Sequence, residues 1–224
     1  DSVANQAMVD ESYERLKTEI RASHILIRMG SSASPEDTLK AFNRLLELKD
    51  RIEKGEDFGR VARSKNSSQD PSVKDNGGDL GYFTAFQMVF PFEDMAYKTP
   101  KGEVSMPFRT KFGYHILQVT DTRPARGTVK VAHLMVATPQ GTSAQEMISA
   151  EKKINEIYIK LKDSLSDDYW RKMVSKYSED PSSSNKAGEL AAFGSGTAQR
   201  MVPTFEDAAF SIANDGDISE PVRT

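Results

Sequence analysis

The sequence contains one internal repeat, and this repeat constrains the fold more than any other feature. Three segments recur in the same order 109 to 114 residues later: Ala22–Ile27 as Val131–Val136, Asp70–Ser72 as Asp180–Ser182, and Gly102–Ser105 as Gly216–Ser219. The small drift in spacing is typical of a few residues inserted in loops. Two copies of about 100 residues match the usual size of a domain, whereas solenoid repeats have units of roughly 20–50 residues. The chain is therefore predicted to contain two related domains.

The repeat also sets the expected domain boundaries. The predicted order is a helix from a preceding region at 1–20, a first domain at 21–121, a linker at 122–127 and a second domain at 128–224. Apolar residues from Val9 to Ile20 are spaced for one face of a helix. Proline and glycine mark the linker.

The second copy is shorter at its end. The first copy continues past Arg109-Thr110 into an apolar run, Tyr114–Val119, whereas the second stops at Arg223-Thr224. We therefore expect the second domain to lack its last strand. A sheet edge without a partner exposes backbone N–H and C=O groups. This edge is expected to be filled by another chain, covered by a neighbouring segment or poorly ordered.

Charge, cysteine content and hydropathy exclude several classes of function. Thirty Lys and Arg residues against 33 Asp and Glu residues give a net charge of −3, which gives no support to nucleic-acid binding through phosphates. The chain has no cysteine and only three histidines. Since none of these has metal-binding spacing, we expect no disulfide, no metal site and no cofactor. No apolar run approaches the ~20 residues of a membrane span, so no integral membrane segment is expected.

Short apolar runs and helix-capping signals alternate along each copy. Strands are predicted at His24–Ile27, Leu80–Phe83 and Tyr114–Val119. Helices are predicted after the capping residues Ser34 and Ser143, around Phe58–Ser64 and Pro91–Ala96, and around Tyr169–Ser175 and Thr204–Phe210. The predicted fold class is α+β, with two tandem domains that each have an antiparallel sheet of about four strands covered by helices.

Two histidines and one aspartate are the polar residues best placed for chemistry. His24 alternates with Leu26 on one predicted strand, and His115 alternates with Leu117 on another, so both imidazoles point toward the apolar side of the sheet. If the strands pair, the rings meet. They are then either buried histidines that satisfy each other or the floor of a pocket. Asp70 offers a carboxylate on an Asp-Pro turn.

An apolar cluster around Met88, Phe90 and Phe92 is by default part of the core, and a shallow hydrophobic pocket is the alternative. The glycines at 77–81 lack the Lys-Ser/Thr that ends a phosphate-binding loop, and no serine has the context of a nucleophile elbow. Hydrolysis and phosphoryl transfer therefore lack their usual groups. An apolar pocket bordered by histidine and aspartate remains.

The ordered set of these motifs resembles the parvulin-type peptidyl-prolyl cis/trans isomerases. The motifs are Ala22–Leu26, Asp70–Ser72, Gly77–Phe83, Met88 with Phe92–Asp94, and Gly113–Ile116. The resemblance covers residues 21–121 completely and 128–224 in part. A helix followed by two such domains is similar to the periplasmic chaperones that carry tandem parvulin domains.

The resemblance implies a role for each matching residue. The residues implied to be catalytic are His24, Asp70 and His115, and those implied to bind the substrate's proline are Leu80, Met88, Phe92 and Thr110. The second copy matches at His133, Asp180, Leu190, Met201 and Phe205. It has no second histidine, and we interpret it as a binding module.

The implied activity is non-covalent rotation of Xaa-Pro bonds in the apolar pocket of the first domain, which assists the folding of exported or envelope proteins. The implied partners are unfolded or proline-containing polypeptides, and the implied location is the periplasm or cell envelope. The alternative is a non-catalytic chaperone that binds unfolded polypeptides with the same fold. A structural repeat without a ligand would leave the recurrence of the pocket residues unexplained.

Overall fold

The computed structural model describes residues 6–224, which divide into two units. The first unit runs up to Gly127 and also includes Ser195–Ala198. The second comprises Thr128–Gly194 and Gln199–Thr224. Among the described residues, no helix combines the length and the apolar character needed to cross a bilayer.

The first unit is built around one antiparallel sheet. Its helices are α1 (Gln6–Leu16), α2 (Pro35–Glu53), α3 (Phe58–Arg63), α4 (Val73–Asn76) and α5 (Phe90–Lys98). Its strands are β1 (Thr18–Arg28), β2 (Asp79–Phe83), β3 (Phe108–Thr110) and β4 (Gly113–Pro124). The strands pair antiparallel in the order β2-β1-β4-β3. The predicted α+β class with a four-stranded antiparallel sheet is confirmed.

Side chains that alternate along β1 and β4 divide the core into two clusters. Ile25 and Ile116 are fully buried on the face that packs against Leu45 of α2. Leu117 belongs to the other cluster, which includes Phe92 of α5. Because successive side chains of a strand point to opposite faces, the residues next to Ile25 and Ile116 in the chain face the α5 side. His24 and His115 are such residues.

The helices begin where their capping residues predict. The Ser34 hydroxyl accepts the backbone N–H of Asp37 at 3.0 Å, and Pro35 occupies the first turn of α2. Ser143 and Glu146 form a capping box at the start of the long helix of the second unit. These local bonds satisfy N–H groups that have no partner within the helix.

The central strands extend further than their apolar runs predict. β1 begins at Thr18 and β4 continues to Pro124, so Glu19 pairs with Arg123 in the ladder. The predicted helix over 1–20 therefore ends at Leu16, and its residues 1–5 lie outside the described residues. The predicted linker begins inside β4. The extension depends on an ion pair, because Nε of Arg123 lies 2.5 Å from the buried Glu19 carboxylate. The two residues are far apart in the chain, so the spacing of apolar residues does not predict their pairing.

The second unit forms fewer and shorter strands. Its elements are β5 (Thr128–Val129), α6 (Ala144–Asp163), α7 (Asp167–Tyr177), a 3-10 turn at Ser184–Lys186, β6 (Phe193–Gly194) and α8 (Pro203–Ser211). Ile157 and Leu161 of α6 pack against Met173 of α7. Where the first unit pairs β1 with β2, the second has a single bridge between Ala132 and Glu189. Residues 128–224 are all described, and they form no strand in the position of β4.

Candidate active site

The register of β1 and β4 brings His24 and His115 together. His24 is opposite Leu117 and His115 is opposite Leu26, so the histidines form a diagonal pair on the same face of the sheet. Their Nδ1 atoms lie 3.3 Å apart, and the rings are stacked with centroids 5.5 Å apart. Both side chains are buried. The sequence expectation that the two imidazoles meet and hydrogen-bond agrees with this geometry.

Asp70 lies on the turn before α4 and contacts the first imidazole. Its Oδ2 atom is 2.9 Å from Nε2 of His24, and its Oδ1 atom accepts the backbone N–H and the hydroxyl of Ser72 at 2.8 and 2.7 Å. The bond from His24 and those from Ser72 hold the pKa of Asp70 well below its usual value, although burial acts in the opposite direction. Asp70 is therefore an acceptor-only carboxylate at neutral pH.

Thr110 of β3 contacts the second imidazole. Its hydroxyl oxygen lies 2.8 Å from Nε2 of His115 and also accepts the backbone N–H of Phe112 at 3.1 Å. Burial, reinforced by the nearby His24, lowers the pKa of His115 to about 3. His115 is therefore neutral at physiological pH, and one of its ring nitrogens must be an acceptor.

If each ring carries a single proton, these contacts allow one order of proton donors. Because the Asp70 carboxylate can only accept, His24 donates from Nε2 and its Nδ1 must accept. His115 then donates from Nδ1 to His24 and accepts at Nε2 from the Thr110 hydroxyl. We call this hydrogen-bonded series of side chains, from the Thr110 hydroxyl through His115 and His24 to the Asp70 carboxylate, the polar chain. Reversing it requires a change of tautomer in both rings.

Phe92 of α5 covers both imidazoles with its ring. The ring lies edge-on to His24 and to His115, with centroids 5.6 Å away in each case. Phe92 is buried, and Leu80 and Met88 are half-buried residues that pack against the same cluster. The three apolar residues expected to hold a proline ring thus belong to or pack against one cluster, whose Phe92 contacts the histidine pair.

Phe108 belongs to the site as well, and sequence analysis missed it. Its ring is stacked on His115 with centroids 5.5 Å apart and lies 5.7 Å from the ring of Phe92. Phe108 precedes Thr110 by two residues on β3, so the two side chains share a face. Because side chains alternate along a strand, the residue two positions before Thr110 could have been predicted to lie on the same face.

Gly78 packs against the backbone of His24 and hydrogen-bonds to it. Its carbonyl accepts the His24 N–H at 2.9 Å, and its φ is +90°. A Cβ atom at this position would lie 2.4 Å from the carbonyl oxygen of His24. Only glycine therefore permits this approach without a shift of the strand. The second unit has the same contact. The carbonyl oxygen of Gly188, whose φ is +77°, accepts the N–H of His133 at 2.9 Å.

The second unit reproduces part of the site around His133. Asp180 lies 2.7 Å from Nε2 of His133, and the Ser183 hydroxyl lies 3.1 Å from the same atom and donates to Asp180. The ring of Phe205 is edge-on to His133 at 5.8 Å. The two other predicted residues, Leu190 and Met201, are half-buried, and their role stays a prediction.

The second unit differs from the first in its polar partners. Ser183 is buried and contacts both the carboxylate and the imidazole, whereas in the first unit a second imidazole extends the chain on the other side of His24. The sequence has three histidines in all, and only His133 lies in the second unit. Among residues 6–224, no group of three or more His, Cys, Asp or Glu side chains is arranged to hold a metal ion.

Comparison with known proteins finds two kinds of curated relative and similar solved structures. The Foldase protein PrsA of Geobacillus kaustophilus is 45% identical over 121 residues, which cover 54% of this chain and 38% of that protein. The Chaperone SurA of Chromohalobacter salexigens is 29% identical over 223 residues, which cover 96% of this chain and 48% of that protein. A crystal structure of the peptidylprolyl isomerase PrsA from Bacillus cereus matches with 33% identity and a TM-score of 0.41, covering 54% of this chain and 40% of that one.

The chain spans about a third to a half of the length of these curated relatives. The family model of the PPIC-type PPIase domain matches twice, at residues 9–123 and at 121–224. The two matches correspond to the two copies of the internal repeat. The chain belongs to the family of PPIC-type peptidyl-prolyl isomerase domains, of which it carries two.

Proposed function

We propose that the first unit binds Xaa-Pro segments of polypeptides and catalyses their cis/trans isomerisation. The observation that carries the proposal is the contact of Phe92 with both rings of the buried histidine pair. The apolar surface that we propose for a prolyl ring thus lies next to the hydrogen-bonded polar groups of the histidine pair.

The reaction requires rotation about a bond and no covalent intermediate. The barrier of about 18–20 kcal/mol comes from the partial double bond of the peptide unit. Uncatalysed rotation at Xaa-Pro takes roughly tens to hundreds of seconds. Twisting the amide breaks its resonance and reduces its dipole. A dry apolar surface therefore favours the twisted state over the planar one, relative to water. Leu80, Met88 and Phe92 would hold the proline ring while the preceding carbonyl rotates.

The polar chain has a separate role in this proposal. Since His115 is neutral and Asp70 is anionic, the site presents a fixed polarity to the rotating group. Asp70 acts electrostatically, through His24, and not as a nucleophile. Thr110 fixes the acceptor nitrogen of His115 at the other end of the chain. The roles of His24, Asp70 and His115 as catalytic groups remain part of the proposal.

The proposed substrates are unfolded polypeptides that contain proline. Support comes from relatives that bear the names foldase and chaperone. We place the protein outside the cytoplasm, in the periplasm or cell envelope, on the resemblance to exported chaperones. Cell fractionation tests this location directly.

The second unit is proposed to bind polypeptides without catalysis. The observation that favours this role is the partner of Asp180: Ser183 donates to the carboxylate, and His133 is the unit's single histidine. Within the described part of the chain, residues 131–136 have no neighbouring strand in the position of β4, and we propose that they accept a strand from another chain. Sedimentation of the intact chain with and without an extended apolar peptide tests this contact.

Exchange NMR on the intact chain tests the catalytic proposal. The exchange rate between cis and trans forms of an Ala-Pro peptide should rise with catalytic amounts of the protein. Asp70→Ala should lower this rate by about tenfold or more, since hydrogen bonds to charged groups contribute about 1.5–3 kcal/mol. The matched variant Asp180→Ala removes the corresponding carboxylate of the second unit and should leave the rate unchanged. Equal rates for Asp70→Ala and the unsubstituted chain would remove Asp70 from the mechanism.

A further inference from the structure

Glu93 is a buried carboxylate that the polar chain of the site does not use. It follows Phe92 on α5, and the residue is 5% exposed. One carboxylate oxygen accepts the backbone N–H of Phe86 at 2.7 Å. The other lies 3.4 Å from the guanidinium of Arg15. A carboxylate at this depth is costly unless such partners are present, so both contacts are expected to matter.

The residue that Glu93 holds has an unusual backbone conformation. Phe86 has a φ of +69°, in the left-handed region. This conformation costs about 1–2 kcal/mol for a residue with a side chain. Such conformations persist where surrounding contacts over-determine them. Phe86 is 61% exposed, so packing of its ring contributes little and the backbone contacts must hold the turn.

Several side chains bond to the backbone of this loop, and those of Glu93 and Gln87 accept from its N–H groups. Glu93 accepts from Phe86, and the amide oxygen of Gln87 accepts the N–H of Thr84 at 2.9 Å. The loop then continues into Met88 and Val89, which pack against the apolar cluster that contains Phe92. Phe86, which Glu93 binds, is therefore two residues before Met88, which is expected to contact the substrate's proline ring.

We propose that Glu93 is a positioning residue: its carboxylate holds the loop of residues 84–89 so that Met88 lies against the proline ring of the substrate. The identity of the ligand rests on the proposed function. The role of Glu93 adds to that function, because Glu93 belongs neither to the polar chain nor to the apolar surface. It acts through Met88.

Arg15 connects this carboxylate to the N-terminal helix. Its guanidinium is buried and also lies 2.7 Å from Asp94 and 2.5 Å from Glu11. The hydroxyl of Tyr97, which is on the same helix as Glu93, lies 2.7 Å from the carbonyl oxygen of Arg15. Helix α1 thus contributes the positive charge that faces Glu93, and it forms part of the support of the site.

Three variants separate the hydrogen bond from the charge. Glu93→Leu has a similar size and no acceptor, and Glu93→Gln keeps an acceptor for Phe86 but loses the charge. Asp94→Asn is the matched control, since Asp94 also pairs with Arg15 but makes no bond to the loop. The readout is the Kd of a short Ala-Pro peptide, measured by NMR titration of the intact chain, with thermal unfolding as the check on folding.

Glu93→Leu should weaken peptide binding by about tenfold, while Glu93→Gln and Asp94→Asn should stay within about twofold of the unsubstituted chain. Binding by Glu93→Leu at the unsubstituted level would overturn the proposal, and so would binding by Glu93→Gln as weak as that of Glu93→Leu.

A second measurement uses the unsubstituted chain and does not depend on a variant's folding. The amide of Phe86 should exchange with solvent at least ~100-fold more slowly than an unstructured amide. Exchange at the unstructured rate would show that the bond to Glu93 is absent in solution and would overturn the proposal. If the unsubstituted chain binds the peptide but does not isomerise it, the catalytic proposal fails, and the binding comparison still decides the role of Glu93.

Discussion

His24 and His115 face each other with their Nδ1 atoms 3.3 Å apart inside the protein, and only one of these two nitrogens can carry a proton while both rings are neutral. With one proton on each ring, the order of donors is set by the Asp70 carboxylate at one end and the Thr110 hydroxyl at the other. This relationship makes the site sensitive to protonation and gives it measurable signatures.

The first prediction concerns stability and pH. The pKa of His115 is lowered from 6.5 to about 3 in the folded chain. Below pH 6.5 the unfolded chain takes up a proton that the folded chain does not. The free energy of unfolding of the first unit should therefore fall as pH falls from about 6.5 to 3, by up to a few kcal/mol.

Urea unfolding at several pH values, followed by NMR signals of the first unit, checks this dependence. The single tryptophan, Trp170, lies in the second unit and does not report on the first. His115→Gln should flatten the pH dependence between pH 6.5 and 4. An unchanged slope in that variant would assign the dependence to other groups.

The second prediction concerns the ring of Phe92. Phe92→Ala should weaken binding of a proline peptide and destabilise the first unit by about 3–5 kcal/mol, since Phe92 is buried among four other rings. Phe92→Leu keeps most of the apolar volume and should bind the peptide with a smaller loss. Phe205→Leu is the matched change in the second unit.

NMR titration with the peptide, alongside thermal unfolding, distinguishes loss of binding from loss of folding. A folded Phe92→Leu variant should have weaker affinity than the folded Phe205→Leu variant at the first unit. Equal affinities in these two variants would place Phe92 outside the binding surface.

The third prediction concerns the tautomer of His115. Thr110→Val keeps the shape of the side chain and removes the hydroxyl that donates to Nε2 of His115. The loss should destabilise the first unit by about 1–2 kcal/mol, because it leaves a buried acceptor without its donor. Thr110→Ser should restore the bond. Imidazole ¹⁵N shifts provide the test: Nε2 of His115 should be unprotonated in the unsubstituted chain, and a protonated Nε2 there contradicts the proposed order of donors.

The fourth prediction concerns Gly78. Gly78→Ala should destabilise the first unit by about 2 kcal/mol or more, since a methyl group there meets the carbonyl oxygen of His24 and the backbone has a positive φ. Gly102→Ala is the control, because Gly102 has a φ of +91° but open space around its Cβ position. It should cost about 1 kcal/mol. Equal losses in denaturant unfolding would show that strain of φ, and not the approach to His24, is the reason for glycine at 78.

Much of the fold was predictable because local signals and the repeat agree. The capping bonds of Ser34 and Ser143, the strand at Leu80–Phe83 and the side of the sheet taken by His24 all follow from short-range spacing. The extension of β1 to Thr18 did not follow, because it depends on Glu19 and Arg123, which are 104 residues apart in the chain. No local pattern encodes such a pair.

The same distinction applies to the site. Strand alternation predicted that His24 and His115 share one face of the sheet, and the resemblance to parvulins implied Asp70, Leu80, Met88, Phe92 and Thr110 as further site residues. Phe108 and Glu93 were missed. Phe108 enters the site through the pairing of β3 with β4, and Glu93 acquires its role from a loop bond and from an arginine that lies 78 residues earlier in the chain.

By itself, the amino-acid sequence determined that the chain carries two copies of one α+β domain, and that the first copy contains the full set of histidine, aspartate and apolar motifs. The periods of strands and helices and the repeat of motifs are properties of the order of residues, so they are visible without a fold. Only the tertiary structure decided the contacts that join Thr110, His115, His24 and Asp70, the lowered pKa of His115 and the burial of Glu93. Each of these depends on distances and desolvation, which arise when segments far apart in the chain exclude water together.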